Sequence, residues 1–283
     1  MNEYNTKITR MGVIPTPTVD GKKLSNTSAI CNDGETAYIL RTCGSSSDNK
    51  KYPFAIYKVI DFNTKSKFTL LNIKGGKAIH ANDITFADGY IYVQTSNKKD
   101  DAQLIKISKD GKIKGEYKYL KGSSYNKIHG CTFAGKFNGE LYFIVGISDT
   151  QNKKRYNLAK ISGDNLVFAN ITYLSQEISD DYVANGIYYD PIKGRFYNTF
   201  YVKSTKGVIK KNHLFSYKLP DVFSSGQLVV NSDYIIKAPS EYNKKFELED
   251  VVLCNNKKFI VCNCESSKGG NYNQDGLFKV TKK

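Results

Sequence analysis

The stretch Asn82-Asp83-Ile84-Thr85-Phe86-Ala87-Asp88-Gly89-Tyr90-Ile91-Tyr92-Val93-Gln94-Thr95 carries the first clue to the fold. Two runs rich in β-branched and aromatic residues flank an Asp-Gly pair that tolerates the positive φ of a tight turn, so an antiparallel hairpin is expected. Its first half recurs four times, as Thr27-Ser28-Ala29-Ile30-Cys31, His129-Gly130-Cys131-Thr132-Phe133, Asn185-Gly186-Ile187-Tyr188-Tyr189 and Glu249-Asp250-Val251-Val252-Leu253. Each copy leads into a second strand, at residues 36–42, 90–95, 140–145, 195–200 and 257–262, and Asp33-Gly34 and Asn138-Gly139 repeat the turn chemistry.

Third strands follow at 55–60, 104–107, 156–161, 214–217 and 277–280, and fourth strands at 68–73, 116–120, 166–173 and 228–236. Four-stranded antiparallel units in tandem predict an all-β, five-bladed β-propeller, with residues 1–283 forming a single domain. The last unit has three strands. Residues 6–14 are expected to supply its outer strand, joining the two ends of the chain in one blade and leaving no open sheet edge there.

Read by columns, the repeat separates core from site. Ala29, Ile84, Cys131, Ile187 and Val251, with Cys31, Phe86, Phe133, Tyr189 and Leu253 two positions on, should pack blade against blade. The leading column is polar throughout: Thr27, Asn82, His129, Asn185 and Glu249, followed by Ser28, Asp83, Gly130, Gly186 and Asp250. Innermost strands surround the channel of a propeller, so these residues should converge at one mouth and form a ligand site. The plainer reading of the same column is a hydrated channel whose Asn and Asp side chains tie down loops.

The expected binding residues are Thr27, Ser28, His80, Asn82, His129, Asn185, Glu249 and Asp250. Oxygen ligands from Asn82, Asn185, Glu249 and Asp250 would suit calcium, with Asp83 or His129 completing the shell. His129 could act as a general base. Asp83 paired with Glu249 or Asp250 offers the two carboxylates of glycoside hydrolysis.

Composition narrows the partners. The chain of 283 residues has 21 Tyr, 15 Phe and no Trp, and its formal net charge of +15 favours an anionic polymer or surface. Its lysines are spread over turns, which equally describes a solvated basic surface. Six cysteines lie in apolar strand segments without zinc-type or CxxC spacing, so buried free thiols are expected, and Cys262 and Cys264, on one face of one strand, are badly placed to bond each other. No apolar run is long enough to span a bilayer, and no aromatic-basic array points to sequence-specific nucleic acid. Met1 to Arg10 carries Glu3, Asn5 and Lys7 rather than an apolar signal core, leaving a cytoplasmic or a secreted or released protein as the expectation, with a monomer as the expected state.

Two resemblances rest on short motifs. Ala81-Asn82-Asp83-Ile84, Ala184-Asn185-Gly186-Ile187 and Leu248-Glu249-Asp250-Val251 resemble the calcium-ligand segments of the paraoxonase and gluconolactonase lactonases. That resemblance implies Asn82, Asn185 and Glu249 as ligands and His129 in proton transfer. Phe246-Glu247-Leu248-Glu249-Asp250-Val251-Val252-Leu253, the following strand and Leu277-Phe278-Lys279-Val280 resemble the last blade of helveticin J-like bacteriocins of Gram-positive bacteria. The sequence reading therefore puts first a propeller that binds a cell-envelope glycan or anionic polymer at its channel. The alternatives are a calcium-dependent lactonase or esterase, a propeller glycosidase at the same mouth, and a protein-binding scaffold.

Overall fold

The computed structural model describes residues 1–43, 50–62, 66–95, 103–119, 125–149, 154–175, 182–203, 209–266 and 274–283. Five four-stranded antiparallel blades follow one another along the chain. Their innermost strands are Asn26–Asn32, Ala81–Ala87, Tyr125–Phe137, Tyr182–Asp190 and Lys245–Cys254. Each packs on the next, and the fifth packs back on the first, so the blades close into a ring. No helix of the described residues is long and apolar enough to cross a membrane.

The ring is held by apolar layers between blades. Ala29, Leu40 and Ile56 of the first blade meet Ile84, Val93 and Ile105 of the second. Tyr92 and Leu104 meet Cys131, Phe143 and Val145, and Ile144, Leu158 and Tyr173 meet Ile187, Phe196 and Phe215. Tyr197, Leu214 and Ile236 meet Leu248, Val251 and Ile260. Ile30, Ile39 and Val59 meet Val252, Phe259 and Val261 and close the circle. Strand alternation explains this pattern: both faces of each sheet are covered, so successive residues serve opposite interfaces. The two expected apolar columns lie in these layers, and all six cysteines are buried and free.

The strand Asn2–Val13 fastens the ring in two ways. Thr6–Val13 runs antiparallel to Gly276–Lys282 and completes the fifth blade, as expected for residues 6–14. Asn2–Asn5 also runs parallel to Ser232–Ile235 of the fourth blade, which fuses two blades into one eight-stranded sheet. Tight turns at Asp88-Gly89, Asn138-Gly139 and Asn255-Asn256 have positive φ at both central residues, the conformation that matches hairpin twist.

Every inner strand bulges at its polar column. Ladder pairing slips between Thr27 and Ala29, Ala81 and Asp83, Ile128 and Gly130, Ala184 and Ile187, and Leu248 and Asp250. The skipped residues are Ser28, Asn82, His129, Asn185 with Gly186, and Glu249. A bulge leaves a residue unpaired and re-aims its side chain. In the first blade the column therefore runs one residue later than its sequence alignment placed it: Ser28, not Thr27, is the equivalent of Asn82 and His129.

Candidate functional site

The bulges divide adjacent residues between two roles. The skipped residues line a cavity of about 260 Å³ at the channel mouth, with Ser28, Asn82, His129, Asn185 and Glu249 on its wall. Thr27 and His80, also expected from the sequence, line it as well. Asp83 and Asp250 do not. They follow the bulge, turn inward and are buried at 0% and 1% exposure beneath the cavity.

Backbone groups freed by the bulges account for this inward turn. Asp83 accepts from the amides of Ile84 (2.8 Å), Cys131 (2.9 Å) and Ile187 (3.4 Å), tying the second, third and fourth blades together. Asp250 accepts from the amides of Val251 (2.7 Å) and Ile30 (2.8 Å), tying the fifth blade to the first. The room comes from glycine. A Cβ on Gly186 would stand 2.1 Å from Asp250 Oδ1, and one on Gly130 would stand 2.9 Å from Asp83 Oδ2. At the hub, residues Ala29, Asp83, Gly130, Gly186 and Asp250 thus combine two carboxylates with three small partners. Burial pushes Asp83 up to about 8 despite its three amide donors. Burial, then the nearby charge of Asp83, pushes Asp250 well above the usual carboxylate range. Together these carboxyls hold protons to higher pH than an exposed pair would.

This placement changes two expectations. Asp83 is not positioned to act on a ligand in the cavity, and Asp250 is not available as a calcium ligand, because its oxygens are spent on the amides of two blades. The remaining expected ligands, Asn82, Asn185 and Glu249, are oriented by hydrogen bonds through the asparagines' Nδ2 and through Glu249 Oε1. Asn82 Nδ2 donates to Ile128 O at 3.2 Å, Asn185 Nδ2 to Leu248 O at 2.7 Å, and Asn263 Nδ2 to Glu249 Oε1. Among the described residues no three His, Cys, Asp or Glu side chains gather as a metal cluster. A calcium ion prefers six to eight oxygens and offsetting negative charge, and of the carboxylates expected to supply that charge only Glu249 reaches the cavity.

Glu249 is one of two carboxyls on the cavity wall. Burial, then repulsion from Glu247, pushes it well above its ordinary value, although Lys245 and the Asn263 amide act in the opposite direction. Glu247 lines the same wall and pairs with Lys245 Nζ at 2.7 Å. Tyr201 lies against these two glutamates and is also raised, first by burial and then by their charges. The floor on the other side is braced by Arg41, fully buried and ion-paired with Asp275. Arg41 Nη2 also donates to Leu24 O at 3.0 Å, and Asp275 accepts from the Thr27 hydroxyl at 3.0 Å. That contact draws Thr27 toward the brace while the cavity keeps one side of it.

Sequence columns missed Glu247, Lys245, Tyr201, Asn263 and the Arg41–Asp275 brace. Part of this was readable. In Phe246-Glu247-Leu248-Glu249, alternation puts both glutamates on one strand face. Asn263 is the cross-strand partner of Glu247, and Arg41 that of Thr27, so extending each hairpin register to the mouth finds them.

No family model and no curated protein matches the chain. Solved structures do. A GH62 hydrolase in complex with xylotriose aligns over 97% of this chain and 96% of its own at 9% identity, TM-score 0.58. The alpha-L-arabinofuranosidase of Podospora anserina in complex with cellotriose aligns over 99% and 96% at 11% identity, TM-score 0.55. The glutaminyl cyclase of Myxococcus xanthus aligns over 99% and 97% at 11% identity, TM-score 0.54. Neither short-motif resemblance, to lactonases or to bacteriocins, finds support in these matches. At such identities the likeness establishes the all-β propeller fold and leaves the chemistry to the cavity.

Proposed function

We propose that the channel-mouth cavity is a carbohydrate site and that the protein is a propeller glycosidase with Glu249 as its proton donor. The carrying observation is a carboxyl that lines a polar cavity and whose hold on a proton is raised well above the ordinary by burial, then by Glu247. A general acid at neutral pH needs that combination. Asn26, Asn82, Asn185 and Asn263 add amide donors and acceptors suited to sugar hydroxyls.

In this reading Glu249 gives its proton to the glycosidic oxygen as the bond to the anomeric carbon breaks. Water adds to that carbon, and its proton passes to Glu247, which Lys245 and Tyr201 hold in place. Two of the aligned structures were solved with xylotriose or cellotriose, which favours a neutral oligosaccharide as the first ligand to test. The shared fold with a glutaminyl cyclase lends no such support, so the reading stands on Glu249 rather than on the fold.

The test is a panel of xylo-, arabino- and gluco-oligosaccharides assayed for reducing-end release and for a thermal shift, with native protein and Glu249→Gln. Hydrolysis by the native chain, lost in Glu249→Gln while the thermal shift persists, is the expected result. A shift without turnover in the native chain would return the site to glycan binding alone, the reading that the sequence put first. Neither shift nor turnover across the panel would end the carbohydrate assignment.

A further inference from the structure

The face opposite the cavity carries features that a carbohydrate site does not use. Inner strands run from the cavity to the hairpin turns, so those turns form the far face. Ile192, at the tip of the fourth blade's turn, is 94% exposed, and Phe223 and Phe137 are exposed at 40% and 37%. The three are joined. Phe223 packs on Phe137 with ring centroids 4.7 Å apart, and Leu219 N, at the root of the Phe223 loop, donates to Gly194 O in the Ile192 turn at 2.8 Å.

Cations border this apolar ridge. Lys193 follows Ile192 and donates to Asn256 of the fifth blade, and Arg195 stands directly across the ladder from Lys218. Lys258 lies 4.5 Å from the ring centre of Tyr234, and Lys282 lies 3.5 Å from that of Tyr4. The carboxylates nearest the ridge are already engaged. Glu140 binds Lys160 at 2.7 Å and Asp88 binds Lys136 at 3.0 Å. Asp221 caps its own loop through Phe223 N (2.8 Å) and Ser224 Oγ (2.6 Å). Asp190 accepts from Ile192 N at 3.1 Å and stands 4.0 Å from Lys193. The positive surplus is felt locally: burial, then Lys282, Lys193 and Arg195, push Lys258 below its ordinary value.

We propose that this face docks on an anionic lipid bilayer, with Ile192 and Phe223 entering the interfacial layer and Lys193, Arg195, Lys218, Lys258 and Lys282 facing the headgroups. Exposed apolar tips within a basic rim fit that partner better than a soluble polyanion, which would gain nothing from Ile192. Docked this way, the cavity mouth points away from the membrane and stays open to solvent. The proposal does not depend on what the cavity binds.

The full chain should be sedimented with vesicles of phosphatidylcholine alone and of phosphatidylcholine mixed equally with phosphatidylglycerol, at low and high salt. Binding to the mixed vesicles alone, weakened by salt, is expected. Lys258→Gln and Lys218→Gln should each weaken it about fivefold, the effect of one lysine near an anionic leaflet. Ile192→Ser, at a side chain with almost no packing to lose, should weaken it about as much, through lost apolar insertion. Lys244→Gln, at an exposed residue beside the cavity-lining Lys245, should leave it unchanged. Absence of binding at low salt, or an equal loss in Lys244→Gln, would overturn the proposal. So would binding to heparin or duplex DNA as tight as to vesicles and insensitive to Ile192→Ser, since that describes a polyanion surface.

Discussion

Adding one methyl group at Gly186 should break the hub, and its cost can be worked from the contacts. An alanine Cβ there would lie 2.1 Å from Asp250 Oδ1, 2.3 Å from Cγ and 2.6 Å from Cβ, so the whole Asp250 side chain must move. Moving it leaves the buried amides of Ile30 and Val251 without their acceptor, at about 1–3 kcal/mol each, and forcing volume into a packed site adds about 1–3 kcal/mol. Gly186→Ala should therefore destabilise by about 5 kcal/mol, read as a fall in urea midpoint with little change in slope. Asp250→Ala alone removes the same acceptor and should cost about 2–5 kcal/mol. In the double variant the methyl meets no carboxylate and the amides are already orphaned, so the costs should fall short of additive by about 2 kcal/mol or more. Additive costs, or a Gly186→Ala protein as stable as the parent, would refute the account of the hub.

Other perturbations follow from the same structure. Asp83 and Asp250 have raised folded-state values, so the native chain binds protons that the unfolded chain releases above its ordinary carboxylate range. Their stabilising contribution is complete below about pH 4 and is lost as pH rises toward and through about 8. Melting temperature should thus fall between pH 5 and pH 8.5, and Asp83→Asn should flatten that slope; a rising profile would contradict the protonated hub. Arg41→Met leaves Asp275 buried without its cation and should cost about 3–5 kcal/mol, measured by denaturant unfolding, with part regained in Arg41→Met/Asp275→Leu. A cost near zero for Arg41→Met would remove the brace from the site. Because Asp83 and Asp250 are buried away from the cavity and Glu249 alone of the expected carboxylates reaches it, chelation should leave the melting temperature unchanged, and a drop on adding EDTA would restore a cation held by Asn82, Asn185 and Glu249.

The fold was legible because a propeller writes its architecture once per blade. Asn82 to Thr95 and its four relatives show strand, turn and strand in the same order, and each column meets the same environment in each copy. What repeats only once left less trace. Asn2–Asn5 pairs in parallel with Ser232–Ile235, and a parallel contact between segments so far apart has no local periodicity to reveal it. In the first blade Thr27 and Ser28 are both small hydroxyl residues, and nothing in their chemistry says which one the ladder skips. The lower-face ridge was invisible for a similar reason: Ile192 in a turn looks like any apolar residue until its exposure is known.

The site was half legible, and the reason lies in the bulge. A strand without one sends residues i and i+1 to opposite faces of a sheet, so Asn82 and Asp83, or Glu249 and Asp250, would alternate between two blade interfaces. The bulge instead aims the first of each pair into the cavity and the second at the axis. Two adjacent acids in Glu249-Asp250 then do unlike work: the first stands on the wall of a polar cavity with its hold on a proton raised, and the second accepts from the amides of Val251 and Ile30. The proposed acid and the ring closure thus share one local distortion, and this predicts how they fail. Glu249→Gln should abolish turnover in a stable propeller, whereas Asp250→Asn, which keeps the shape but sets an amide donor against one of the two backbone amides that Asp250 accepts from, should unsettle the ring first and the cavity as a consequence. A folded, fully stable Asp250→Asn protein with altered turnover would reverse the two assignments.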